Sequence, residues 1–148
     1  MSNCILIIAH APLASALRAC VMHVYAECAD SVLALDVMPH CEPEDTLQQA
    51  QRLVDQVPAE GLLVLTDVFG ATPANVAQKL VGGRNARLLS GVNLPMLYRA
   101  VCYCHEALEA LVARALAGGT QGVMQVNITA QQNQIRRNHD QNSYDHQQ

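Results

Sequence analysis

The sequence predicts an α/β protein, a doubly wound three-layer sandwich, on three observations. Two apolar runs, Cys4–His10 and Gly61–Asp67, each end abruptly on a polar side chain, as strands buried on both faces of a parallel sheet do. Between the strand-like runs lie segments whose apolar residues recur at helical spacing. Strand and helix alternate through four such units, which calls for parallel strands with crossover helices on both faces.

The elements follow in chain order. Cys4–His10 is bounded by the proline of Ala11-Pro12, which biases Ala11 away from helix and suits the first turn of the helix after it. That helix should run from about Pro12 to Tyr25, with Leu13, Ala16, Leu17, Cys20, Val21 and Val24 forming its stripe. Ser31–Val37 is a second strand, and the charge of Asp36 within it suits a place near the sheet edge. Pro43, Glu44 and Asp45 open the next helix, because a positive dipole end favours acids there, and Pro58 closes it. Gly61–Asp67 is the third strand. Thr72 is then the expected N-cap, Pro73 the first helical residue, and Gly82-Gly83 the end of that helix. Arg87–Ser90 is a short fourth strand, and Pro95 opens a helix that breaks near Cys104-His105. The last helix should span about Glu106 to Ala117 and stop at Gly118-Gly119. Gly122–Ile128 alternates as a half-buried fifth strand would. Residues 1–128 thus form the domain, and from about Thr129 to Gln148 the chain is too polar to offset its ordering entropy, so a disordered tail is expected.

Composition narrows the function classes. With 148 residues the chain is long enough for one well-buried domain. Nine basic residues against 13 acidic ones give a net charge of −4, and they form no cluster, which argues against nucleic acid and anionic membranes. The N-terminus lacks the charges of a signal peptide, and its apolar run is far shorter than the roughly 18 residues of a membrane span, so a soluble, cytoplasmic protein is expected. None of the six cysteines forms a C-x-x-C pair, and buried free thiols are expected rather than a disulfide framework.

For four strands wound in both directions, the order 2-1-3-4 places the first and third side by side, with the switch point between their carboxyl ends. His10 and Asp67 stand at those two ends. A carboxylate on one imidazole N–H fixes the tautomer and leaves the other nitrogen as a nucleophile. The helix start after Thr72 aims N–H groups at the same crevice, a natural anion cradle. Neither G-x-x-x-x-G-K-[ST] nor G-x-G-x-x-G occurs, so no nucleotide or dinucleotide cofactor is expected. His23 and His40 do not supplement His10 at metal-ligand spacing, so no metal is expected either. A phosphoryl group reaching this crevice would have to come from another protein.

At these residues the chain resembles a known family. His10, the segment Asp67-x-x-Gly70-x-Thr72-Pro73-x-Asn75, and Gly91-Val92-Asn93-Leu94-Pro95-Met96-Leu97 are similar to the enzyme IIA component of the mannose family of the bacterial sugar phosphotransferase system, over about residues 3–127. The resemblance implies a phosphoryl carrier in which His10 accepts phosphate from the histidine-containing phosphocarrier protein and passes it to an enzyme IIB partner. Asp67 would orient the ring, and Gly70, Ala71, Thr72 and Asn75 would meet the phosphoryl oxygens. It also implies a homodimer in which an antiparallel fifth strand, Val123–Ile128, is exchanged. Two departures stand out: Ala11-Pro12 follows His10 where the family usually has glycine, and Ala71 follows Gly70 where it usually has a second glycine. An alternative is a regulatory protein whose phosphorylation state controls docking, with no transport role. A small hydrolase built on the same His–Asp pair is a weaker one, since no serine or cysteine stands at either strand end.

Overall fold

A computed structural model describes residues 2–128. The elements are β1 (Cys4–His10), α1 (Leu13–Val24), a 3-10 turn at Ala26–Cys28, β2 (Val32–Val37), α2 (Pro43–Asp55), β3 (Leu62–Thr66), α3 (Thr72–Val81), β4 (Ala86–Ser90), α4 (Leu94–Cys102) and α5 (Leu108–Gln121). All strand pairings are parallel and the sheet order is β2-β1-β3-β4, as expected. The expected tail, 129–148, lies outside the described residues.

Strand alternation sorts the core into two layers. From β1 and β3, Ile5, Ile7, Ala9, Leu63 and Leu65 point to one face and pack on α1, α4 and α5. Cys4, Leu6, Ile8, Leu62 and Val64 point to the other and pack on α2 and α3. Both central strands are therefore apolar at every interior position, because each side chain meets a helix whichever way it points. Burying each leucine, isoleucine or valine side chain among them stabilises the fold by roughly 1.5–3 kcal/mol. Parity matters for the site: Leu6, Ile8 and His10 share a face, as do Leu62, Val64 and Thr66, and Ile8 stands opposite Thr66.

Several expectations are corrected. The N-cap of α3 is Ala71, not Thr72; Thr72 is the first helical residue, because the Ala71 carbonyl already accepts the first helical bond, from the Asn75 N–H at 3.0 Å. Pro12 likewise precedes its helix as the N-cap of α1. Gly118-Gly119 does not end the last helix, which continues to Gln121. These glycines are buried against α4: a Cβ on Gly119 would lie 2.8 Å from Met96 Cε, and one on Gly118 would strike the Arg99 side chain. They permit close helix approach instead of breaking the helix, at a cost in propensity of about 1 kcal/mol each. Within the single chain no strand forms over 123–128, and Val123, Met124, Val126 and Ile128 are exposed.

Candidate functional site

The site lies where β1 and β3 end side by side. His10 is the last residue of β1, and Asp67 immediately follows β3. Because Ile8 pairs with Thr66, the two chains run out together and bring residues 57 positions apart into contact. Asp67 Oδ2 accepts from the His10 backbone N–H at 3.0 Å and lies 2.7 Å from His10 Nδ1. Oδ1 accepts from the Val68 N–H at 2.9 Å and from the buried Thr66 hydroxyl at 3.4 Å. Four donors thus meet the four lone-pair positions of one carboxylate.

The electrostatics follow from this crowding of donors. Partial burial pushes the Asp67 carboxyl up, but the His10 amide, the His10 ring and the Val68 amide outweigh it, and the carboxyl is held below its usual value. The Asp67 side chain is only 13% exposed, whereas that of His10 is 52% exposed. With Nδ1 facing the carboxylate, the donor belongs on Nδ1, and Nε2 keeps its lone pair and has no hydrogen-bond partner among the described residues.

The turn from β3 into α3 supplies the other expected site residues. Gly70 has φ +89°, a backbone setting that other residues rarely adopt, and it lets the chain reverse directly beside Asp67. No side chain caps α3. The amides of Gly70, Ala71 and Thr72 have no acceptor among the described residues, so three of the four expected oxyanion-binding positions offer free N–H groups. The Asn75 N–H differs, being bonded to Ala71 O, and Asn75 offers only an exposed side chain. Asn93 acts within the scaffold: its Oδ1 caps α4 at Met96 N, 2.9 Å away, and its Nδ2 reaches Gly119 O. His23, His40 and His105 are exposed and take no part. Among the described residues, no group of three or more His, Cys, Asp or Glu side chains is arranged to hold a metal ion.

Sequence reasoning missed two features. An apolar rim surrounds the strand ends: Leu13, Met38, Val68 and Phe69 are all exposed, Phe69 at 74%. The chain's one phenylalanine, two residues after Asp67, was the available signal, since a large aromatic in so short a turn has no core to enter. Asp36, read only as an edge-strand charge, holds the first turn of α1: its Oδ1 accepts from Ser15 N at 3.0 Å and its Oδ2 from Ser15 Oγ at 2.5 Å. Its position opposite Ala9 in the β1–β2 pairing fixes the segment leading out of His10.

Known proteins share this chain's sequence family and its fold. The family model EIIA-man, described as PTS system fructose IIA component, matches residues 4–116. None of the curated proteins matches the chain. Among solved structures, the phosphotransferase system component EIIA from Streptococcus agalactiae is 26% identical, with a TM-score of 0.73 over 83% of this chain and 96% of that one. The mannose/sorbose specific IIA subunit of the phosphotransferase system from Enterococcus faecalis is 24% identical, with a TM-score of 0.76 over 87% of this chain and 98% of that one, and shows the shared fold.

Proposed function

Because the chain belongs to the EIIA-man family, the IIA components of the sugar phosphotransferase system, we propose that it is a phosphoryl carrier whose working residue is His10. The observation that carries the reading is the 2.7 Å contact between His10 Nδ1 and Asp67 Oδ2, which leaves Nε2 without a partner among the described residues on a half-exposed side chain.

In this reading the donor is the phosphohistidine of the histidine-containing phosphocarrier protein. The Nε2 lone pair of neutral His10 attacks phosphorus in line, the new P–Nε2 bond forms as the donor's P–N bond breaks, and the donor imidazole leaves with the electron pair. Asp67 keeps the Nδ1 proton and stabilises the positive charge that develops on the ring. The amides of Gly70, Ala71 and Thr72 receive the equatorial oxygens, with Asn75 at the margin. No arginine or lysine lies in the three motifs. Neutral donors suit a carrier, because a salt bridge would hold the group too tightly for onward transfer to an enzyme IIB partner. The exposed rim of Leu13, Met38, Val68 and Phe69 gives such partners an apolar surface to cover.

The same reading includes a homodimer in which Val123–Ile128 is exchanged. The exposed apolar residues of that segment and the open edge of β4 support it, since an uncovered strand edge invites pairing. Size-exclusion chromatography with light scattering should give twice the chain mass, and a variant lacking 123–148 should give the monomer.

Incubation with enzyme I, the phosphocarrier protein and phosphoenolpyruvate should place an acid-labile phosphate on the chain. Failure of the unaltered chain to take label would overturn the reading.

A further inference from the structure

Asp67 makes its four contacts through two kinds of donor. Three are N–H groups of the His10 and Val68 backbone and the His10 ring. The fourth is the Thr66 hydroxyl, fully buried at the end of β3 on the sheet face that His10 shares. Neighbouring backbone groups are already committed: Val92 N donates to Thr66 O at 3.0 Å, and Gly91 N donates to Asp67 O at 3.1 Å. The main chain beneath the carboxylate is therefore clamped, and rotation of the carboxylate about its own side-chain bonds is the freedom that remains. Val68 N–H alone leaves one lone pair of Oδ1 open. The hydroxyl closes it from the buried side, and a buried hydroxyl whose one acceptor is a carboxylate has reason to stay aimed at it.

We propose that Thr66 is a positioning residue: by filling the last lone pair of Asp67 it fixes the carboxylate plane, and through it the orientation and Nδ1–H tautomer of His10. This rests on the phosphoryl-carrier reading for its effect on transfer, but its effect on the ring does not. Valine replaces the hydroxyl with a methyl group of similar size and keeps the β-branched shape that suits a strand. Serine keeps the hydroxyl and loses the methyl group.

The test has two arms. In the first, ¹⁵N NMR of the imidazole in the unphosphorylated full chain should show the Nδ1–H tautomer dominant in the unaltered protein and in Thr66→Ser, and a mixture in Thr66→Val. In the second, transfer from the phosphorylated carrier to Thr66→Val should have kcat reduced by about three- to tenfold, the size of an ordinary hydrogen bond and below that of a short one to a charged group, as the 3.4 Å separation implies, with KM unchanged. Thr66→Ser should recover most of the rate. An unchanged tautomer in a folded Thr66→Val overturns the proposal, as does a loss of rate that serine does not restore, which would indicate packing alone. Should Thr66→Val not fold, the Thr66 hydroxyl proton of the unaltered chain decides: a slowly exchanging resonance, lost in Asp67→Ala, supports the bond, and rapid exchange overturns it. If the unaltered chain takes no label, the carrier reading fails while the NMR arm still reports on Thr66.

Discussion

Two regions of this molecule differ in almost every respect. Between α4, α5 and Tyr25 lies a groove of about 550 Å³, walled by Tyr98, Arg99, Cys102 and Met124 among others. It is roomy and largely apolar, and on its wall the Tyr25 Oη and Cys102 Sγ side-chain atoms meet at 2.8 Å. At the carboxyl end of the sheet, by contrast, a half-exposed imidazole stands on a rim, with its carboxylate beneath it bound by four donors. Volume marks where a small molecule could be enclosed; converging donors mark where charge is managed. A group handed from one protein to another needs a nucleophile that protrudes into its partner, so the shallow region is the one suited to transfer.

That contrast can be broken by substitution. The largest effect is expected from His10→Ala, which should reduce labelling by the phosphorylated carrier to background; retained label would move the chemistry elsewhere. Asp67→Ala should slow transfer by about a hundredfold, the scale of losing a tautomer-fixing and charge-stabilising group, with circular dichroism unchanged. Phe69→Ala should raise KM by about tenfold at constant kcat, as truncating an exposed aromatic anchor costs on the order of 1–2 kcal/mol of docking. In the groove, Arg99→Ala should leave both constants within about twofold of the unaltered protein, the scale of a surface change far from the reacting atoms. An Arg99→Ala defect as large as that of Phe69→Ala would erase the distinction between the two regions.

The smallest effect concerns stability. The Asp67 carboxyl titrates below its ordinary 3.8 in the folded state, so its pairing stabilises the protein fully above that value and ceases to do so as pH falls through the lower, folded value. The stability advantage over Asp67→Asn in urea titrations should accordingly be flat near neutrality and shrink only below about pH 4. An advantage that faded between pH 7 and 5 would point to a different group.

The fold was legible because its signal is periodic. Cys4–Ala9 and Leu62–Leu65 could be buried at every position only in a parallel sheet covered on both faces, and the sheet order then put Asp67 beside His10. The contacts of the pair came from topology, not from spacing in sequence. What stayed hidden depended on tertiary partners. Gly118-Gly119 looked like a helix end because their neighbours on α4 cannot be read locally. Thr72 looked like a cap because cap and first helical position differ by one hydrogen bond. Asp36 and Thr66 were unremarkable as letters, and only pairing and parity reveal that one holds α1 and the other meets Asp67. Phe69 stands out by its exposure, which a sequence does not state.

The central claim is that His10 is left with a free Nε2 by Asp67 so that it can carry a phosphoryl group. The most direct test is ³¹P and ¹⁵N NMR of the ¹⁵N-histidine-labelled chain after phosphorylation by its carrier. A single phosphohistidine at His10, with phosphorus coupled to Nε2 and the proton retained on Nδ1, is the predicted result; phosphorylation at Nδ1, or on any other residue, would contradict it.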